Sequence, residues 1–483
     1  MSDTEIAAAE ARRPLVVALD LGTSSIRVQL HDARGDAVAG TLARRVTAWQ
    51  TDASGGVWTD AATLLGLVDE LLDELVEAHR ALLPDVVAGG VSCLFHTFCG
   101  VDADHRPVTP LRSWADTSAA GAAGALRSRL DPEAIRQRTG APLHPGYWPA
   151  RIAATGTGDT GTAWAGLPEL LHHHLTGAWA VGQSLAAGTG LLDRRRRAWD
   201  EELCSLVGVD PGSLATVVTE LTLVPTDSTA GKRWPGLRHL RWLAPVGDGA
   251  CNNIGLGAMG HERAGLMIGT SSAMRLCLEG SIEEIPEGLF TYGIEGGRTL
   301  VGGALSEGGG TATWWSHVTG RDVAAFNPAT SGIVALPYLN GERGPGYHAA
   351  ATGAISGLRL GDDAHAIMDA IMSAVALGLA DIDGALGSPI SITATGGALR
   401  PSSRWQQLVA AALERPIDVA RLVEPSLRGA ALLALEAAGA AGADAAPPVA
   451  VDRVEPADQD VRALKLIAER RAGLYERLVG GDV

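Results

Sequence analysis

The tetrapeptide GTSS occurs at residues 22–25 and again at residues 269–272. Each copy closes an apolar run, "PLVVALDL" before the first and "AGLMI" before the second, and an arginine follows, Arg27 or Arg275. A tight turn of Gly, Thr and Ser aims backbone N–H groups and hydroxyls at one point, and glycine lets the chain approach a ligand closely. Such a concavity suits phosphate oxygens. Two of them facing each other across a cleft would grip a polyphosphate from both sides. Only the first copy carries an acid two residues before its glycine, Asp20. Its hard oxygens suit Mg2+, directly or through water.

The turns need elements to hold them. "PLVVALDLG", "SSIRVQLHDARG" and "DAVAGTLARRV" read as three short strands joined by Gly-containing turns, an antiparallel meander. Apolar spacing in "TDAATLLGLVDELLDELVEAHRAL" predicts a long amphipathic helix with Thr59 as its N-cap. "VVAGGVSCLF" reads as a buried strand, and residues 154–162 as a Gly/Thr-rich surface stretch. The second half restarts the pattern. "AGLMIGTSSAMRLCLEG" is again strand, turn and strand, followed by a hairpin in "FTYGIEGGRTLVGGAL" and a helix over 364–386. "PISITATGG" reads as a buried strand, "SSRWQQLVAAALE" as a helix, and the last helix spans 457–478. A duplicated α/β unit with a cleft between its halves explains this better than coincidence, because the flanking apolar runs and trailing arginines are shared.

The 483 residues suffice for two or three domains with sizeable cores. Hydrophobic content of 46% against 19% charged describes a globular chain, not a disordered one. A net charge of −16 repels nucleic acid and anionic membrane, so neither is an expected partner, although local donors can still hold an anionic substrate. Five cysteines without a CxxC pair read as free thiols. "MSDTEIAAAEARR" lacks an apolar segment of signal-peptide length, and no run of about eighteen apolar residues is evident. A cytoplasmic protein is expected. The two lysines, Lys232 and Lys465, lie outside any GxxxxGK[ST] string, which excludes a P-loop.

Several stretches in order resemble the FGGY carbohydrate kinases over nearly the whole chain. "LDLGTSSIRV" looks like that family's first phosphate motif and "GDGACNNIGLGAMG…AGLMIGTSSAMRL" like its second. "ATGGALRPSSRWQQLVAAALERPI" is similar to its adenosine segment, and "LPYLNGERGPGYHAAATGAISGL", "EPSLRGAALLAL" and "GTGLLDRRRRAWDEEL" match further stretches. The resemblance implies an α/β fold of two ribonuclease-H-like domains, of the actin/sugar-kinase/Hsp70 superfamily, closing on ATP and a sugar or polyol. The expected division is 12–245, with the sugar site and first phosphate turn, and 246–483, with the ATP site and catalytic base.

By carry-over, Asp20 belongs to the Mg2+–phosphate region, and Gly22, Thr23, Ser24 and Arg27 to the first phosphate turn. Gly269, Thr270 and Ser271 would contact phosphate from the other domain. Gly396 and Gly397 would lie against the nucleotide, and Gly309 or Gly310 near phosphate or ribose. Asp248 would be the general base, accepting the proton of a sugar hydroxyl as its bond to phosphorus forms. An Asx turn before a strand is the structural alternative for that aspartate.

"SCLFHTFCGVDADHRPVTPLRSWADTSA" resembles the substrate segment, which nominates His96 and Asp116; "PLHPGYWPARI" adds His144, Tyr147 and Arg151. His96 and His144 read equally well as satisfied core histidines. "CLFHTFCG" departs from the xylulose kinase pattern, and the chain is most similar to members acting on gluconate, whose carboxylate would need an arginine, with Arg151 as the guess. The expected reaction is ATP-dependent phosphorylation of D-gluconate to 6-phosphogluconate. Xylulose or another ketose or polyol, and a non-catalytic nucleotide-dependent sugar sensor, are the alternatives; a homodimer is left open. "GLGAMG" is rejected as a dinucleotide site, His172–His174 as a metal site, and Arg194–Arg197 as a nucleic-acid patch, each for want of the right structural context.

Overall fold

The computed structural model describes residues 5–156, 163–320, 332–440 and 442–480; most of the Gly/Thr-rich stretch expected at 154–162 lies outside them. Two mixed sheets, one per lobe, organise the chain. In the first lobe the strands that matter are β1 (Leu15–Leu21), β2 (Ser25–His31), β3 (Ala43–Val46), β4 (Val86–Cys93), β5 (Arg241–Leu243) and β6 (Val246–Gly247). β1 runs antiparallel to β2 and parallel to β4, and β5 and β6 both pair parallel with β4. β1 is buried along its whole length, as expected for a strand covered on both faces. α1 (Ala61–Ala78) packs on β2 and β3 through one apolar stripe that includes Leu64, Val68, Leu71 and Leu75. Its N-cap is Asp60, whose carboxylate accepts from the Ala62 N–H. Thr59, the expected cap, instead ends the strand Val57–Thr59 opposite Leu111.

The first lobe also contributes α2 (Pro132–Thr139) and α3 (Gln183–Thr189), and α4 (Asp248–Leu256) follows β6. The second lobe repeats the meander with β7 (Arg263–Ile268), β8 (Ser272–Glu279), β9 (Phe290–Ile294) and β10 (Arg298–Leu305). α5 (Gly309–Thr319), α6 (Ala364–Ala385), β11 (Ser391–Thr395), α7 (Ser403–Ala412), β12 (Ile417–Ala420), α8 (Pro425–Ala437), β13 (Val451–Val454) and α9 (Asp458–Leu478) complete it. Its sheet order is β9-β10-β8-β7-β11-β12-β13, with β7 antiparallel to β8 and parallel to β11. The relation of β7 to β8 and β11 repeats that of β1 to β2 and β4. α6 is apolar and long enough to cross a membrane, but most of it is buried in the second core, as a core helix is.

α4 and α8 cross between the sheets. A Cβ at Gly255 would fall 1.8 Å from the Pro425 carbonyl oxygen, and one at Gly429 would fall 1.9 Å from that of Cys251, so only glycine admits this approach. α8 packs on β4 and β1, and its Leu427 and Ala430–Leu435 join the first core although they come late in the sequence. The expected division at 245/246 therefore does not fall between independent cores.

The two trailing arginines are not equivalent. Arg27 lies opposite Asp20 across β1 and β2, whereas Arg275 lies opposite Gly265 across β7 and β8. Counted from its turn glycine, Arg275 is one residue further on than Arg27, and a one-residue offset turns a strand side chain to the other face. The residue matching Arg27 is Met274, buried in the second core.

Candidate active site

Both GTSS copies form hairpin turns, between β1 and β2 and between β7 and β8. In the first, the Gly22 N–H donates to the Ser25 carbonyl at 3.1 Å. The Trp49 indole N–H donates to the Thr23 carbonyl at 2.7 Å, and the Trp114 indole N–H to the Thr23 hydroxyl oxygen at 2.9 Å. Thr23 is thereby fixed with its own hydroxyl hydrogen free to donate.

Asp20 sits beneath this turn, buried. One carboxylate oxygen accepts from Ser92 at 2.7 Å and the other from Arg27 at 2.7 Å, and Arg27 also reaches Glu424 of the second lobe at 3.2 Å. Burial raises the Asp20 pKa, and Arg27 and Ser92 work against that rise. No cluster of three acidic, His or Cys ligands forms among the described residues. The donor set fits a Mg2+ that keeps its waters and is carried by phosphate oxygens, with Asp20 as an outer partner, and not a protein cage.

Around the second turn, the Gly309 N–H donates to the Gly269 carbonyl at 2.7 Å and the Gly310 N–H to that of Thr270 at 2.9 Å, so α5 begins against the turn. A Cβ at Gly396, whose φ is +119°, would lie 2.1 Å from the Ile268 carbonyl oxygen; Gly396 is thus required by the fold. At Gly269 and Gly397 an added Cβ would meet nothing within 4 Å. These two glycines border open space, the condition a close-lying ligand needs. Gly269→Ala should therefore leave the melting temperature unchanged while raising the KM for nucleotide about tenfold (~1.4 kcal/mol), because the added methyl occupies space the ligand needs. Gly396→Ala should lower the melting temperature. An unchanged nucleotide KM in folded Gly269→Ala would remove that glycine from the site.

Asp248 opens α4 as its first residue, with Gly247 as N-cap, and so is not an Asx turn before a strand. Burial pushes its pKa up to about 6, Arg275 opposing and the Asp20 carboxylate adding to the rise. The Arg275 guanidinium packs on Gly249, where a Cβ would lie 2.9 Å from Cζ. Its Nε and Nη1 are buried without hydrogen-bond partners, and burial lowers its pKa to about 10.

A cluster of aromatic rings lies beside these groups, reached through Phe95, which packs on Gly247. The rings of His96 and Tyr147 are 4.7 Å apart, and the Tyr147 hydroxyl meets that of Tyr292, from the second lobe, at 2.8 Å. His96 Nδ1 lies 2.5 Å from the Gly188 carbonyl, which assigns the proton to Nδ1 and leaves Nε2 an acceptor. His144 Nδ1 accepts from the Gly146 N–H, so its Nε2 carries the proton, and that atom is buried without a partner. The Tyr347 hydroxyl is likewise unpartnered. Burial holds both histidines neutral, lowering His96 well below its usual value and His144 to about 3. His96 and Tyr347 also adopt left-handed backbone, at φ 63° and 58°, a strain that collects at functional sites. Leaving buried polar atoms unpaired costs about 1–3 kcal/mol each, and a polyhydroxylated ligand supplies the missing partners.

Two expected pocket residues face away. Arg151 gives its guanidinium to the carbonyls of Pro145, His96, Ser113 and Asp116. Asp116 accepts from the Val57 and Ser118 N–H groups, the Ser118 hydroxyl and Arg112, and is fully buried. Burial pushes the Asp116 carboxyl up, but Ser118, Val57 and Arg112 outweigh it and hold it below the ordinary range. Both residues brace the Ser113–Asp116 loop and the His96 backbone; neither has groups left for a ligand.

Sequence reasoning missed Arg343. It stacks over Trp114 at 5.0 Å and makes no ion pair among the described residues. Its charge acts on Asp248, His96, His144 and Tyr347, and on Glu307, whose carbonyl accepts from the second-turn Ser272 hydroxyl. Asn340 donates to the Ala115 carbonyl at 3.2 Å alongside. The loop carrying Arg343 thus packs behind the first turn, through Trp114 and Thr23, with its charge felt near the second. The string "NGERGPGYH" was the available signal, but nothing in it distinguishes Arg343 from a surface arginine.

Two of the rejected strings lie in the contexts read from the sequence, whereas Arg194 of the third is partly buried against carbonyls of both lobes. "GLGAMG" ends α4, and His172–His174 sit on the helix Leu167–Thr176, with His174 bound to Asp69.

The N-terminal domain of the FGGY family of carbohydrate kinases matches residues 15–224, and its C-terminal domain matches residues 310–438. Gluconokinase of Bacillus licheniformis is 24% identical, covering 88% of each chain. Xylulose kinase of Escherichia coli (strain K12) is 28% identical, covering 82% of this chain and 84% of that one. The crystal structure of gluconate kinase from Lactobacillus acidophilus superposes with a TM-score of 0.84 at 23% identity, covering 96% of this chain and 98% of that one.

Proposed function

This chain belongs to the FGGY family of carbohydrate kinases, and from that premise we propose that it phosphorylates a sugar acid, D-gluconate to 6-phosphogluconate, with MgATP as donor. The observation that carries the sugar-acid reading is the charge balance of the pocket. Arg275 answers the Asp248 carboxylate, whereas Arg343 brings a guanidinium with no ion pair among the described residues, beside neutral histidines and the unpartnered Tyr347 hydroxyl. That uncompensated cation fits an anionic group, the transferring phosphate or a substrate carboxylate. The similarity to gluconokinases over most of both chains points the same way.

In the proposed mechanism the sugar hydroxyl lies between Asp248 and the phosphate turns, with neighbouring hydroxyls paired to His96 Nε2, the His144 Nε2–H and Tyr347. Asp248 accepts the hydroxyl proton as the new O–P bond forms and the bond to the ADP oxygen breaks. Thr23 from one lobe and the second turn, Gly269–Ser271, from the other hold the phosphates, with the space beside Gly269 left open for them. Bound Mg2+ would supply charge neutralisation between phosphate oxygens. Closure of the lobes excludes water as a competing acceptor.

The acting form of Asp248 is the carboxylate, which predominates above its pKa of about 6. kcat/KM should therefore rise with pH through about 6 and level off above it, and Asp248→Asn should lose that limb. A profile flat from pH 5 to 8 in the native enzyme would sink this assignment.

A ketose such as xylulose is the second reading, favoured by the higher identity to xylulose kinase. ADP release from a panel of sugar acids, ketoses and polyols separates the two. Turnover on gluconate at least about tenfold above xylulose in kcat/KM supports the proposal, and the reverse order replaces it. Binding of sugar and ATP with no sugar phosphate formed would move the protein to a sensor role.

A further inference from the structure

A cavity separate from the phosphate turns lies between the lobes, where the hairpin Leu192–Trp199 and α3 meet β9, β10 and the segment that follows β8. It has room for about two or three waters, the size of a tetrahedral oxyanion. Arg194 and Arg197 of the first lobe and Arg298 of the second line it, together with Gln183, Ser281 and Thr291, and no Asp or Glu does. Arg298 already pairs with Glu279 and Glu436, so the charge left without a carboxylate partner among the described residues is that of Arg194 and Arg197, and it calls for a counter-charge.

The three arginines are not equally engaged. Arg194 is anchored on the carbonyls of Gln137, Ile282 and Glu283, so it is held rigidly at the junction of the lobes. Arg298 is 6% exposed; Nε and Nη2 pair with Glu279 and Glu436, but Nη1 is buried without a partner. Arg197 has left-handed backbone, at φ 54°, and its side chain has no hydrogen-bond or ion-pair partner among the described residues. The arginine fork matches phosphate with paired hydrogen bonds.

We propose that this cavity is a phosphate-group site, distinct from the phosphate turns, whose occupation bridges the lobes and favours their closed arrangement. Bridging follows from the lining, to which each lobe contributes; a ligand that contacts both stabilises the state in which they meet. Free phosphate and the phosphate of a sugar phosphomonoester share this chemistry, and the test separates them.

The full-length chain, saturated with ADP so that the nucleotide site is filled, is titrated with inorganic phosphate or with glucose 6-phosphate at constant ionic strength, and Tm is followed. The native Tm should rise with at least one of them; a response to inorganic phosphate alone marks the free ion, and a response to glucose 6-phosphate marks the ester. Arg197→Ala removes an exposed side chain without partners, so it should fold and keep its basal turnover while weakening the apparent affinity about tenfold or more. Ser281→Glu should abolish the response, because its carboxylate competes for the same arginines. No response in the native chain, or equal responses in native and variant proteins, overturns the proposal.

Discussion

Asp248→Asn is expected to lower turnover by about 10²–10⁴-fold while the protein stays folded, the range for loss of a general base. The substitution keeps the shape of the side chain and removes only its capacity to accept a proton. Asp248 begins α4 at the end of the first sheet, faces Arg275, and has its pKa raised to about 6 chiefly by burial. A carboxylate at that pKa is ionised at neutral pH yet basic enough to take a proton from a hydroxyl as it loses electron density to phosphorus. KM for sugar and nucleotide should change little, since Asn still accepts a hydrogen bond. Turnover within a few-fold of the native rate, from protein with native circular dichroism and Tm, would remove Asp248 from the mechanism.

Arg343→Ala should cost about 10²–10³-fold in kcat/KM, the scale set by removing one preorganised donor to a developing anion. The guanidinium is fixed over Trp114, and Trp114 is fixed on Thr23, so the charge is placed before substrate arrives. How the loss divides tells which anion it serves. A fall in kcat shared by sugar acids and neutral sugars marks the transferring phosphoryl group; a rise in KM confined to sugar acids marks the carboxylate. Arg343→Lys keeps the charge but loses the planar stack and fork, so it should restore only a fraction of the activity. Native kinetics in Arg343→Ala would show that the cleft does not use this cation.

The elements carrying the phosphate turns were legible because their signals are local. Seven consecutive buried residues in β1, the hairpin turn after it, and the apolar stripe of α1 each follow from a few adjacent side chains. The repeat in the second half was legible for the same reason. The trailing arginine was a misleading support for it, since strand alternation sends Arg27 and Arg275 to opposite faces. Arg151 and Asp116 were misplaced because residue type shows that a group can bind a ligand, not that its hydrogen bonds are already taken. Four carbonyls claim Arg151, from residues as far away in sequence as His96.

By itself the sequence determined the α/β character, the two turns, the acid beside the first of them and the aspartate at residue 248, all written in patterns a few residues long. The tertiary structure alone decided that α8 joins the first core, that Arg343 lies over Trp114, and that His144 Nε2 and the Tyr347 hydroxyl are buried unpaired. The physical reason is range. Turn chemistry and strand burial are fixed by neighbours in the chain, whereas a free hydrogen bond or an uncompensated charge is defined by every group that folding brings near it.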